Sequence, residues 1–440
     1  TFQPLPMMTD RQMKKLLALV WGHRLFEAEE AIAGDGASVR VECPGYGSET
    51  AEGDGTAEEE PVAPDFVNAA VRYGEIVLHG GVRVDSRSSC WRTEGRMTDP
   101  GFDGVAFHVV GERDRVLVRD GRAVRTLILS PSAKLERLYE ELLDEATNGS
   151  AGCAEFFGGL EAVEQGQILS RLVADRLRRK VVETNAIHRS LGGNSWDETA
   201  YVCYLRSLGM GNRKHSYEAL ARSVPLRCFV RCAGDVRQAE ALLLGQSGYL
   251  NVASAADPTV RQWQDIYLAL KKEYGLRRPV VSWSGGTSVR PSSLPPSMLV
   301  QAAALLTQTP LLAERVREAS RGGMQGLREL FGGAHPAGIS AEKVDLRIIN
   351  FVIPLLTAMG RAAGDAELQD RAVALYEEVA PERNRYTRLW SEAIDLSSAS
   401  DSQAVVQLCT EYCARERCAE CPVGILRMVR LWKRVRRNEK

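Results

Sequence analysis

The sequence offers no apolar run long enough to span a bilayer and no charged-then-apolar leader at its N-terminus. The expectation is a soluble, cytoplasmic protein without a membrane partner. Net charge is almost absent, at −1 over 440 residues, which removes any whole-protein electrostatic preference for nucleic acid or membrane. Of the ten cysteines, those outside residues 409–421 are scattered singly or stand as the isolated pair Cys228 and Cys232, unlike the framework of a small secreted domain. A reducing compartment fits this usage. No period of roughly twenty to fifty residues recurs, so no solenoid is evident.

What is present is a globular composition, 44 % hydrophobic and 26 % charged, in a chain long enough for two or three domains. Its charge is unevenly spread. Glu49, Glu52, Asp54, Glu58, Glu59 and Glu60 fall together without a basic residue, whereas the tail from Arg427 to Lys440 sets seven basic residues against one acid, Glu439. Residues 10–33 read as a helix with Leu16, Leu17, Val20 and Trp21 on one side and Gly34-Asp35-Gly36 as its stop. The pattern then turns to strands: Val39 and Val41 alternate, as do Val67, Ala69 and Val71, and Ile76–Val84 and Val105–Val110 are apolar runs. Val116–Val118 and Val124–Leu129 flank Asp120-Gly121, a hairpin turn signal.

After residue 131 the spacing is helical almost throughout, with Ser195 as an N-cap and Pro354 set to kink or break the longest apolar helix. The fold class is therefore α+β. The predicted domains are a mixed α/β unit at 1–130, interrupted by a disordered acidic insertion at 48–63, a helical domain at 131–400, and a cysteine-cluster helix with a basic tail at 401–440.

Cys409, Cys413, Cys418 and Cys421 form C-x3-C-x4-C-x2-C. The first two share one helix face and the Cys418–Cys421 turn brings two more sulfurs towards the same point, as a tetrahedral thiolate site or an iron–sulfur cluster requires. Spacing does not separate zinc from iron–sulfur, and the competing reading is four small buried residues or a disulfide. Cys228 and Cys232 have no companion ligand and read as core. His79 and His108, on apolar strands, read as core histidines. In the tail, Arg427, Arg430, Lys433, Arg434 and Arg437 recur around an apolar face of Ile425, Met428, Val429 and Trp432, so the helix could dock by one side and offer cations to phosphates.

Several phrases then line up in order: Pro64-Asp65-Phe66-Val67-Asn68-Ala69, Gly81-Val82-Arg83-Val84-Asp85-Ser86-Arg87-Ser88-Ser89-Cys90-Trp91, and His108-Val109-Val110. Further along come Glu240 to Gly248 with Gln246, Arg290-Pro291, Ile349-Asn350 with Pro354, and the terminal cysteines. Together they resemble the bacterial domain of unknown function 2851 family. The resemblance implies an N-terminal part like a PD-(D/E)xK, restriction-endonuclease-like core, in which carboxylates on adjacent strands hold Mg²⁺ and a nearby cation orients the attacking water. It carries onto Asp65 as the first carboxylate. The chain departs from the family pattern at Arg83, where an acid is expected, and at Glu94 and Arg96, where histidines are expected. Asp85 with Arg87 forms a D-x-R that could substitute, although arginine is a poor general base.

Three functions follow from these features. The first is a nucleic-acid-binding protein, with DNA or RNA as partner, on a degenerate nuclease-like scaffold carrying a zinc or iron–sulfur site. The second is a helical scaffold that binds another protein around a structural metal. The third is an active Mg²⁺-dependent nuclease using Asp65, Asp85 and Arg87, helped by Glu75 or Glu94. The helical region has no recognisable nucleophile–base pair or phosphate loop, and Gln246, Gly248, Arg290 and Pro291 suggest no chemistry beyond a helix end and a turn.

Overall fold

The first helix, α1 (Asp10–Gly22), opens on a capping box in which Thr9 accepts from the Gln12 amide and the Gln12 side chain returns to Thr9. It buries Leu16, Leu17, Val20 and Trp21. The predicted helix to residue 33 is cut short: the chain reverses at Arg24, whose φ is 52°, and residues 30–33 are a strand. In the computed structural model the described residues are 8–26, 30–33, 38–47, 64–93, 99–119, 121–149, 151–209, 211, 213–232, 234–252, 257–283, 293–333 and 339–438. The predicted acidic insertion at 48–63, together with Glu94, Arg96, Arg290 and Pro291, lies outside them.

Among the described residues, nine strands follow α1: β1 (Glu30–Ala33), β2 (Ser38–Cys43), β3 (Tyr46–Gly47), β4 (Phe66–Tyr73), β5 (Ile76–Arg87), β6 (Val105–Glu112), β7 (Val118–Arg119), β8 (Arg122–Ala123) and β9 (Thr126–Ile128). The short helix α2 (Cys90–Thr93) lies between β5 and β6. The main sheet runs β2-β1-β9-β6-β5-β4-β3, and β2 also pairs with β4, so hydrogen bonding passes round a closed circuit of six strands. β5 and β6 are parallel, as are β6 and β9, and the remaining pairs in the circuit are antiparallel. The alternating residues Val39, Val41, Ala69, Val71, Val82, Val84, Phe107, Val109 and Leu127 form one core with α1. β7 and β8 pair antiparallel, Val118 with Ala123 and Arg119 with Arg122, while β9 joins the main sheet; Asp120 of the predicted turn lies outside the described residues.

Three helices complete the count needed for the site: α3 (Ala133–Asn148), α4 (Ala151–Gly158) and α5 (Ala162–Ser190). The chain divides into two units. One holds residues 1–172, 384–395 and 404–440, and the other residues 173–383 and 396–403. The cysteine and basic segment thus belongs with the N-terminal sheet, and the boundary after the sheet falls beyond α4 instead of at residue 130. The architecture is α+β, as read from the sequence.

The second unit is helical. Among the described residues one helix, Ala341–Ala363, is long and apolar enough by length and composition to cross a membrane, against the sequence expectation of none; its most apolar stretch is 67 % buried within the protein. Pro354 acts as expected. Having no N–H to donate, it leaves a one-turn π-bulge at Ile348–Val352 immediately before it.

Candidate functional site

Asp65 stands just before β4 and reaches β5 because β4 is bulged. Its register against β5 shifts between Phe66 and Ala69, and Asn68 takes the left-handed conformation (φ 59°) that asparagine tolerates better than most residues. Gly45 is needed beside it, since a Cβ there would lie 2.4 Å from the Val67 carbonyl oxygen. Asp65 Oδ2 accepts the Val84 N–H at 2.8 Å. Arg83 and Asp85 follow on the same face of β5, and His108 is the β6 partner of Arg83.

These residues form one charge network. The Arg83 guanidinium lies 3.4 Å from Asp65 Oδ1 and 3.5 Å from Asp85 Oδ1. His108 Nε2 donates to Asp85 Oδ2 at 2.9 Å, and Lys14 from α1 lies 3.7 Å from Asp85 Oδ1. Arg83, Asp85 and His108 are fully buried. Aromatic rings wall the site: Phe102 lies 5.8 Å below the guanidinium, and Trp91 packs edge-on against both Phe102 and His108. Burial disfavours the Asp85 carboxylate, but the His108 hydrogen bond and the charges of Arg83, His108 and Lys14 outweigh it and hold its pKa below the usual value. At Asp65 burial prevails over Arg83 and the Val84 amide, and the pKa is raised.

The sequence-predicted trio is only partly assembled. Asp65 and Asp85 converge, but around Arg83; Arg87 points to solvent, 3.4 Å from Glu112 and 3.9 Å from Asp10. Glu75 occupies the turn joining β4 to β5, at the end of β4 remote from Asp65. His108 is a core histidine as expected, yet it also fixes Asp85, and His79 is exposed, contrary to expectation. The Ser88-Ser89 phrase has a structural explanation. Asp114 Oδ1 accepts from Ser88 Oγ at 2.8 Å and from the Ser89 N–H at 2.9 Å.

Hydrogen bonds from Ser89 and Ser88 hold the Asp114 pKa down, at about 2 against an ordinary 3.8. Because the folded-state value is the lower one, this group's stabilisation is present above the ordinary value and lost as pH falls towards 2. Asp114→Asn is expected to flatten the acid limb of stability across that interval, measured by denaturant unfolding at stepped pH. An unchanged limb would remove Asp114 from the linkage.

The second constellation is built from the cysteines. Cys409 lies in a π-turn (Leu408–Tyr412), Cys413 opens a 3₁₀ turn, and Cys418 and Cys421 flank the turn leading into the C-terminal helix (Pro422–Asn438). A small cavity is lined by Cys413, Cys418, Cys421 and a fourth thiol, Cys153 of α4. Cys409 is not among its lining residues. All ten cysteines are thiols. Burial raises the thiol pKa of Cys153 and Cys418 and brings that of Cys421 to about 12; Cys409 is raised first by its hydrogen bond with Cys413 and then by burial. Among the described residues, no three or more His, Cys, Asp or Glu side chains are grouped as a single metal ion requires.

The C-terminal helix buries Met428 and Trp432 against the sheet core, as its apolar face predicts. Of its basic residues, Arg427 forms a two-pronged pair with Glu145 and Arg430 pairs with Glu164, while Lys433, Arg434, Arg436 and Arg437 are exposed. Lys14, Arg83 as a neutralising cation, and Cys153 were not identified as site residues from the sequence. Each acts through long-range packing, and Cys153 carries no local spacing signal.

The model of the family described as "Protein of unknown function (DUF2851)" matches residues 14–337. The chain belongs to this family. The matched span includes every member of the Arg83 network and Cys153, while the other four cysteines and the C-terminal helix lie beyond it. No curated protein and no solved structure gives a significant match.

Within the family span, Gln246 is a packing residue. Its Nε2 donates to the Arg277 carbonyl at 2.5 Å, and its Oε1 accepts from the Tyr267 hydroxyl at 2.9 Å. Gly248, with φ 93°, makes the turn after the helix Val236–Gln246.

Proposed function

We propose that this member of the family is a nucleic-acid-binding protein that does not cleave, built on a nuclease-like layout in which Arg83 has taken the position a metal ion would need. The observation that carries this reading is the guanidinium within 3.4–3.5 Å of both Asp65 and Asp85. A divalent ion in a hydrolytic site accepts these carboxylates as ligands and keeps a position for water, which it acidifies. A guanidinium neutralises the carboxylates but has no coordination position and does not surrender a proton at ordinary pH. The layout keeps the charge balance and omits the activation of water.

Binding is assigned to the exposed cations of the C-terminal helix, Lys433, Arg434 and Arg437. Arg427 and Arg430 anchor the helix through Glu145 and Glu164, with the zinc or iron–sulfur site fixing its start. Three phosphate contacts predict an affinity for duplex DNA that falls about 40-fold between ~50 and ~200 mM salt, from a slope of roughly −0.9 per contact. Fluorescence anisotropy with single-stranded DNA, duplex DNA and RNA measures this. Reversal of Lys433, Arg434 and Arg437 to glutamate is expected to abolish the salt-dependent binding, with no cleavage in Mg²⁺ or Mn²⁺. No binding at low salt would pass the function to a protein-binding scaffold. Metal-dependent cleavage abolished by Asp65→Ala would establish a nuclease instead.

A further inference from the structure

Four thiols from three separate stretches of chain face one small cavity, and that arrangement differs from the quartet written in the C-terminal sequence. Cys153 enters from α4, Cys413 from the 3₁₀ turn, and Cys418 and Cys421 from the turn before the C-terminal helix; Leu142 and Gly424 are among the apolar walls. Electrostatically the four are mutual neighbours: Cys418 senses Cys421, Cys413 and Cys153, and Cys421 senses Cys413 and Cys153. Cys409 also senses Cys413 and Cys421, but it hydrogen-bonds to Cys413, lies beside the indole of Trp390 and is not among the residues lining the cavity.

We propose that Cys153, Cys413, Cys418 and Cys421 ligate one iron–sulfur cluster, with Cys409 outside the ligand set as a hydrogen-bonding neighbour of Cys413. This rests on the reading of the cysteine segment as a metal site and replaces one of its four ligands.

Three features fit a cluster better than a single ion. The four thiols line one cavity, yet among the described residues no three of them are grouped as a single ion requires; a tetrahedral zinc sits about 2.3 Å from every sulfur, whereas a cluster holds its ligand sulfurs further apart, around a body with its own sulfides. The walls are apolar, and a cluster's reduction potential and lifetime depend on exclusion of water. Donors already surround the sulfurs: the Val423 and Gly424 amides reach Cys421, and the Arg427 guanidinium lies 3.5 Å from Cys153 Sγ. Buried Tyr139, whose hydroxyl makes no hydrogen bond, lies near Cys418.

Transfer of a preassembled cluster breaks four cysteine S–H bonds and four bonds from iron to the donor's thiolates, forms four cysteine S–Fe bonds, and passes the four protons to the departing thiolates, which leave as thiols with no net oxidation of the protein.

The test is anaerobic purification followed by reconstitution with iron and sulfide, with iron, zinc and acid-labile sulfide measured per chain. Equal iron and sulfide are expected in the wild type and in Cys409→Ser, and loss of both in folded Cys153→Ser. Loss in Cys409→Ser with retention in Cys153→Ser would overturn the ligand set and leave a C-terminal metal site standing. One zinc per chain without sulfide would overturn the cluster but not the metal site. No metal in the reconstituted wild type would sink both. If Cys153→Ser does not fold, thiol alkylation of the wild type before and after anaerobic removal of the cluster with an iron(II) chelator gives an independent reading. Cys153 is expected to become reactive on removal, and unchanged reactivity would overturn its assignment.

Discussion

Arg83→Ala is expected to lower the free energy of unfolding by about 3–5 kcal/mol, the range for removing one partner of a buried ion pair. Asp65 and Asp85 would then face each other across the space the guanidinium fills, one within a bulged strand entry and the other fully buried. Lys14 and His108 would still hold Asp85, and the Val84 N–H would still hold Asp65, so the loss falls short of two bare buried charges. Denaturant unfolding of both proteins measures the difference.

Two controls separate charge from packing. Asp65→Asn introduced into Arg83→Ala is expected to recover part of the loss. Millimolar Mg²⁺ or Mn²⁺ is expected to raise the midpoint of Arg83→Ala and leave the wild type unchanged, because only the variant lacks the guanidinium that fills the space between the two carboxylates. A loss below about 1 kcal/mol would mean that the guanidinium is not neutralising these acids.

In the helical unit, Lys180→Met is expected to cost about 3 kcal/mol, from roughly 1–3 kcal/mol for each buried acceptor left without a donor. Lys180 Nζ donates to the Ile349 carbonyl at 3.2 Å and to Asn350 Oδ1 at 2.9 Å, so one side chain stitches the π-bulge to α5. It also reaches Gln403 Oε1 at 3.3 Å, which Arg176 shares. Burial lowers the Lys180 pKa well below its ordinary 10.5, with Arg176 acting in the same direction and Glu382 and Glu183 opposing.

The folded protein therefore releases this proton before the unfolded chain does. Where that holds, the unfolded state binds more protons and stability rises with pH, up to the ordinary lysine value. Unfolding measured from neutral to alkaline pH should show the gap between wild type and Lys180→Met widening. A constant gap would place the lysine's role in packing alone.

The strands were legible because alternation is a local signal: Val39/Val41 and Ala69/Val71 mark faces whatever their partners. Closure of the circuit was not legible. It depends on β1, which its neighbours in sequence made look like the end of a helix, and on β2 gaining a second partner in β4. Pro354 announced a broken helix through the loss of its own N–H, but the lysine that satisfies the break comes from α5.

The same division runs through the sites. Asp65 and Asp85 could be picked out as paired acids. That Arg83 would lie between them depends on the Asn68 bulge, which no spacing reports. The helical period correctly gave the apolar face of the C-terminal helix, whereas the pairing of Arg427 and Arg430 depends on Glu145 and Glu164 in elements distant in sequence. A cysteine standing alone at 153 looks like any other small buried residue until α4 brings it to the cavity.

Closure of the strand circuit limits how this unit can meet a partner. An open sheet offers a row of unpaired amides and carbonyls to which another chain can add itself as a strand. Each of the six strands in the circuit has a partner on both sides for part of its length, so the ring offers little free backbone edge and recognition through it falls mainly to side chains and helix surfaces. It also means that no strand of the ring can peel away without breaking two ladders. Hydrogen–deuterium exchange should therefore find the amides of β4, β5 and β6 opening together, as one cooperative element at the slow end of the protein's range.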